Sequence, residues 1–302
     1  MEPITFVTLA FPGKPITEPL MLAESIREFG GELADCPIIF LFPQYGGDFD
    51  VSQQRVLRKL RVETIPFVIA GDEQEFPFSA KVEAAAAAEK ALAGKSELLA
   101  WLDSDTLVVN DLKELLLLPG KVIGCRPVHH KLLGLKWGEL PDAFWHQVYQ
   151  AAGAQVENNH PPMLTNTGEK IRPYLNAGSF VLLPERGIVS RWRQVFNTCI
   201  RSKEFLPFFQ QNELYRIFLH QALFTIILLN MVETCEMQVF SSGVNYPLHL
   251  HNKIPETFRA KQIKDLVTVR YEEILSDPDW RKKYLILDPI SGWIEETLKI
   301  AC

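Results

Sequence analysis

The sequence predicts an α/β protein, a mixed, mostly parallel central sheet flanked by helices. Two observations carry that prediction. Continuous apolar runs alternate with helical patterns over the first 128 residues, and a strand buried on both faces reads as an unbroken apolar run because neither face meets water. One such run, residues 98–109 (Leu-Leu-Ala-Trp-Leu-Asp-Ser-Asp-Thr-Leu-Val-Val), is interrupted by Asp103 and Asp105, and open sheets of this class bind ligands at the carboxyl ends of their strands.

Residues 4–11 form a β-rich run ending at Pro12-Gly13, and residues 18–29 have helical spacing, with Leu22, Ile26 and Phe29 on one face and Gly30-Gly31 as the stop. Residues 37–42 and 62–70 read as the second and third strands, with a helix over 51–60 that buries Val56, Leu57 and Leu60 between them. Residues 76–92 contain Ala84 through Ala88 and form a helix by propensity alone, its small side chains suiting close packing on a neighbour. The fourth strand is the aspartate-containing run. Asp111-Leu112-Lys113-Glu114 has the spacing of a capping box opening a short helix, and residues 122–128 give a fifth strand. An irregular section over 129–138, a helix over 141–152 and a polar loop from Asn158-Asn159 to Lys170 follow, and loops of such length inside a compact domain are often functional. A strand over 174–183, helices over 185–201 and 212–230, an extended segment over 237–250, a late strand over 266–271 and a mainly helical tail over 277–302 complete the chain.

Composition narrows the function. With 31 basic residues against 37 acidic ones, a net charge of −6 and no basic run, the chain is unsuited to a nucleic-acid partner. Its five cysteines are odd in number and widely spread, which reads as reduced thiols in a cytoplasmic protein. The first residues lack the basic start and apolar stretch of a signal peptide. The most apolar long segment, 214–232, carries Arg216, His220 and Gln221, so a buried helix is expected there and no membrane span.

Each buried aspartate loses hydration that apolar neighbours cannot return, so a cation or open water must compensate the pair. On an extended chain Asp103 and Asp105 project to the same side with Ser104 opposite. Paired carboxylate oxygens suit Mg²⁺ or Mn²⁺, which are held by one or two carboxylates plus substrate phosphates.

The order of these features, a half-sheet, an Ala-rich helix, the Asp103-Ser104-Asp105 motif, a short capped helix, and Tyr174-Leu175-Asn176-Ala177-Gly178-Ser179-Phe180, resembles the GT-A-fold nucleotide-diphospho-sugar glycosyltransferases, in particular the galactosyltransferase and glycogenin-like group. The resemblance covers residues 1–250, with 1–128 as the nucleotide-binding half, 129–250 as the sugar and acceptor half, and 251–302 as a strand and helical tail packed on them. It implies a metal-dependent transferase that takes a nucleotide-diphospho-sugar donor, a UDP-sugar favoured, and a glycan or small-molecule acceptor. By position, Asp103 and Asp105 would touch the ribose and bind Mn²⁺ or Mg²⁺, with Ser104 in the same donor-binding stretch. Thr8, Leu9 and Ala10 would line the base and ribose pocket, and Lys81 would meet the phosphates at a helix N-terminus. Asn176 and Ala177 would contact sugar, and Gly178 would permit close backbone approach. Gln221 would stand with Asn176 beside the reacting carbon. The family has an acid where this chain has His220, and its third metal ligand is a late histidine, for which His249 and His251 are the candidates although the family's usual C-terminal motif is absent.

Two other classes compete. A glycosyltransferase-like protein that binds nucleotide or glycan without turnover is favoured by His220 and the altered tail, and opposed by both aspartates. A haloacid-dehalogenase phosphatase would use Asp103 as nucleophile, but its motif normally ends the first strand, whereas three strand-helix units come first here.

Overall fold

Parallel pairing of four apolar strands builds half of the central sheet. In a computed structural model, which describes residues 1–302 apart from 13–15, 72, 157–159 and 302 and apart from the side chains of 300 and 301, β1 (Glu2–Leu9), β2 (Ile38–Pro43), β3 (Val62–Phe67) and β4 (Ser96–Leu102) lie side by side in the order β3-β2-β1-β4. They are connected by α1 (Thr17–Phe29), α2 (Val51–Lys59) and α3 (Ser79–Leu92). The expected strand end at Gly13 and the Asn158-Asn159 loop lie outside the described residues.

The aspartate-containing run is not one strand. Thr106 N–H donates to the Asp103 carbonyl at 3.0 Å, which turns the chain, and β5 (Thr106–Val108) leaves for a second sheet. The next element is a single 3₁₀ turn over Leu112–Leu115, not the boxed helix that the spacing suggests. Asp111 caps it through Lys113 N–H, but the Glu114 carboxylate is turned away to accept from Ser241. Then come β6 (Ile123–Pro127), α4 (Ala143–Ala152), a small hairpin of β7 (Met163–Leu164) and β8 (Lys170–Ile171), and β9 (Leu175–Leu182). The helices α5 (Ile188–Ile200), α6 (Leu206–Gln211) and α7 (Glu213–Met231) and the strand β10 (Met237–Val239) follow. The seven-stranded order is β10-β6-β9-β4-β1-β2-β3, and β9 runs antiparallel to both of its neighbours.

Side-chain alternation divides the core. Leu99 and Trp101 face α3, α5 and α7, while Leu98, Ala100 and Leu102 face the α1 side. Ala84, Ala85, Ala86 and Ala88 of α3 are buried, and Glu89 beside them caps α5 by accepting from Val189 N–H and Ser190 N–H at 3.1 and 2.8 Å. Among the described residues α7 alone is long and apolar enough to cross a membrane. Residues 219–229 of α7 are buried against β9, α4, α5 and α6, and a helix surrounded by protein needs apolar side chains all round.

The tail does more than cover the sheet. β11 (Tyr246–Pro247) and β12 (Thr268–Arg270) join β5 in the order β11-β12-β5, and α8 (Trp280–Lys283) and α9 (Ser291–Ala301) help enclose a third core around Leu107, Tyr246 and Val269.

Candidate active site

The two sheets meet at the end of β4, and each anchors one aspartate. The β4–β9 ladder runs one step past Leu102, so that Asp103 N–H donates to the Gly178 carbonyl at 2.8 Å. Alternation puts the Asp103 side chain on the face of Leu99 and Trp101, toward α3, whose first turn delivers Lys81. After the turn, the Asp105 carbonyl accepts from Tyr271 N–H at 3.0 Å, at the mouth of the antiparallel β5–β12 ladder. In that register Arg270 lies opposite Thr106, and its guanidinium reaches both carboxylates.

Asp103 accepts from Trp101 Nε1–H, Lys81 Nζ and Arg270 Nη1–H, each at 2.8 Å. Arg270 Nε stands 3.1 Å from Asp105 Oδ2 in an ion pair without an aligned hydrogen bond. Lys81, Asp103, Asp105 and Arg270 keep only 7, 13, 14 and 20% of their side-chain surface exposed, so water screens these charges weakly. Burial raises the Asp103 pKa, but Lys81 and Arg270 outweigh it and hold the carboxyl below its usual range. Burial, opposed by Arg270 and reinforced by Asp103 and Glu18, pushes Asp105 up to about 6. Burial also lowers Lys81 against the pull of Asp103. Arg270 loses hydration too, yet Asp103, Asp105 and Glu272 raise its pKa overall, and it stays charged.

Two chambers adjoin at this cluster. One, of about 800 Å³, is walled by Leu9, Ala10 and Phe11 after β1 and by Ile274 and Tyr284 of the tail. The other, of about 210 Å³, is lined by His129, Tyr174, Asn176, His220 and Gln221. Phe78, Lys81, Asp103, His249, Arg270 and Glu272 border both. Phe78 (φ 64°) and Glu272 (φ 47°) hold left-handed backbone conformations there, which cost a side chain with a Cβ about 1–2 kcal/mol each and concentrate at functional sites.

In the small chamber the β6–β9 register breaks between Cys125 and Pro127, and a side chain answers the backbone: Gln221 Oε1 accepts from Ala177 N–H at 3.2 Å. Asn176 Oδ1 accepts from Gly178 N–H at 2.6 Å, and its Nδ2 stands 3.3 Å from His129 Nε2. His220 stacks on Phe78 with ring centres 4.1 Å apart, and its Nδ1–H donates to the Ile217 carbonyl at 2.8 Å. Burial pushes His220 down to about 3, so the ring is neutral and Nε2 carries no proton. Unfolding lets His220 take a proton near 6.5. Its contribution to stability is therefore intact above that pH and falls as acid is added. The Tm advantage of the wild type over His220→Gln is expected to shrink from about pH 7 to about pH 4.5; an advantage that stays constant would refute a neutral buried imidazole.

Residues 6–228 match the family model described as a Rhodobacterales glycosyltransferase domain. The chain belongs to this family. The glycosyltransferase has the GT-A fold and is similar to WbbM, a bifunctional glycosyltransferase, in its apo structure (13% identity, 99% of this chain and 51% of that one, TM-score 0.53). It is also similar to the galactosyltransferase LgtC in complex with donor and acceptor sugar analogues (14% identity, 98% and 95% covered, TM-score 0.48) and to mouse xyloside xylosyltransferase 1 in its apo form (14%, 89% and 96%, 0.45). At such identities the likeness is one of fold. No curated protein matches the chain.

Leu9, Ala10, Lys81, Asp103, Ser104 and Asp105 of the glycosyltransferase come together around the larger chamber, and Asn176, Gly178 and Gln221 around the smaller. Thr8 does not join them: its hydroxyl is buried within β1 and has no hydrogen-bond partner among the described residues. The Ala177 side chain is buried in the core, leaving only its N–H at the site. His251 borders neither chamber and bonds the Tyr246 hydroxyl at 2.8 Å. His249 borders both, with Nδ1 3.4 Å from Glu272.

The Mn²⁺ or Mg²⁺ implied by the family resemblance does not fit this donor set. Both Asp103 oxygens already face N–H donors, a guanidinium stands where a bridging ion would have to touch both aspartates, and His249 is turned to Glu272. Among the described residues no three His, Cys, Asp or Glu side chains are grouped to hold a metal. The space that Gly178 leaves is also taken by the protein itself: a Cβ there would land on Arg270 Nη1 and 2.8 Å from Asp103 Oδ2. Sequence reasoning missed Arg270. Its signal was an arginine directly after the β-branched run Val267-Thr268-Val269, a buried charge as much in need of a partner as the aspartates.

Proposed function

We propose that this glycosyltransferase moves a sugar from a nucleotide-diphospho-sugar, by preference a UDP-sugar, to a glycan or small-molecule acceptor. One observation carries the reading: two chambers joined at Lys81 and Arg270 match a donor made of nucleoside, diphosphate and sugar. The nucleoside takes the larger chamber, the diphosphate lies at the two cations, and the sugar enters the smaller chamber, where Asn176, Gln221 and the neutral imidazoles offer hydrogen bonds to hydroxyls. In transfer the bond from sugar C1 to the diphosphate oxygen breaks, and its electron pair goes to that oxygen. The acceptor hydroxyl oxygen forms the new bond to C1, and its proton passes to solvent. Charge held ready at the departing oxygen is the contribution of Lys81 and Arg270. His129, His130 and Leu132, which line the smaller chamber, shape the acceptor side.

A thermal-shift panel of UDP-, GDP- and ADP-sugars tests the reading, followed by assay of released nucleoside diphosphate with and without acceptor sugars. A donor at about a hundred times its Kd is expected to add about 2.7 kcal/mol of stability. If none of these donors stabilises the protein, with or without Mn²⁺, the reading is wrong.

A further inference from the structure

Two single positive charges, fixed on the chain, stand at the junction of the chambers. Resting on the donor assignment above, we propose that Arg270 with Lys81 is the cation that receives the donor diphosphate, so that donor binding and transfer require no divalent metal. Three features make Arg270 a built part of the site. The antiparallel register of β12 on β5 sets it opposite Thr106, one residue from Asp105. Gly178 leaves the volume that its Nη1 occupies. Asp103 takes Nη1 at 2.8 Å and Asp105 stands 3.1 Å from Nε, so the two carboxylates hold the guanidinium from two different sides.

Held in this way, the guanidinium keeps Nη2 for a ligand. A guanidinium carries five N–H donors in a planar fork, and among the described residues the two N–H groups of Nη2 make no hydrogen bond, which leaves them for phosphate oxygens. Lys81 Nζ lies on the same Asp103 carboxylate at 2.8 Å, so the two cations present the charge of one divalent ion within a single cluster. Both border both chambers, the position that a diphosphate between nucleoside and sugar must occupy. The aspartates then orient the cations, and the chain itself meets the need for a compensating cation.

The test is calorimetric titration of the full chain with UDP, and with GDP and ADP in parallel, in EDTA and again in MnCl₂. For the wild type, Kd in the two buffers is expected to agree within about threefold, and Arg270→Gln is expected to weaken binding about 100-fold in both, the scale of losing one buried charged hydrogen-bonding partner. Arg270→Lys, which keeps the charge without the fork, should fall between them and guards against a folding defect in the glutamine variant. Wild-type binding more than tenfold tighter in Mn²⁺ would overturn the proposal and leave the donor assignment standing, as would unchanged binding by Arg270→Gln in EDTA. Binding of none of the three nucleotides in either buffer would overturn the donor assignment and this proposal with it.

Discussion

Replacing Asp103 with alanine is expected to lower stability by about 3–5 kcal/mol, the usual cost of leaving a buried charge without its partner, and to abolish donor binding. Asp103 is the shared counter-charge of Lys81 and Arg270 and also the acceptor for Trp101 Nε1–H. Lys81 has no other carboxylate within ion-pair distance among the described residues, so its ammonium would be left buried beside an apolar cavity. Asp103→Asn keeps the volume and an acceptor for Trp101 while removing the charge, and should lose less stability. Asp105→Asn is the informative contrast. Burial has already pushed the Asp105 carboxyl up to about 6, so giving up its charge costs the fold little. Urea denaturation of the three variants near neutral pH measures these differences. Equal losses for Asp103→Ala and Asp105→Asn would refute the unequal sharing of charge described above.

Gly178→Ala is expected to cut kcat by about 100-fold, the scale of an ångström-sized displacement at a reacting centre, while costing about 1–3 kcal/mol of stability as ordinary overpacking does. The added methyl would land on Arg270 Nη1 and crowd the oxygens of Asp103 and Asn176. Gly124→Ala provides the control, since its methyl would press on the Phe240 ring, and Phe240 borders neither chamber. Both variants should lose stability, and only Gly178→Ala should lose turnover beyond what its unfolded fraction explains. A matched pair of activities would show that the guanidinium does not need the position it occupies.

Much of the architecture was legible in residue order. Residues 37–42 read as a strand buried on both faces, and the structure buries every residue of β2 (Ile38–Pro43). The alanines of residues 84–88 announced close packing, and α3 lies against α5 with its alanines in the core. Such features are local: periodicity and side-chain size act over a few turns or a strand length, where sequence neighbours are also spatial neighbours. The run through Asp103 and Asp105 misled for a related reason. Its apolar residues are buried throughout, but they belong to two different sheets, and apolarity reports burial without saying against what.

The site was half legible. Asp103, Asp105, Lys81, Asn176 and Gln221 were found by type and order, and the structure gathers them around two joined chambers. The late histidines stood as metal ligands only through the family resemblance, whereas the two carboxylates by themselves ask for a cation of any kind. That demand is what the sequence by itself determined: two acids in a buried run must be neutralised, since hydration lost there is not regained. Which cation answers was decided only by the tertiary structure. Arg270 lies 167 residues from Asp103, and nothing near either residue records that β12 pairs antiparallel with β5. The pairing register, with the vacancy at Gly178, turns an unremarked arginine into the partner of both aspartates.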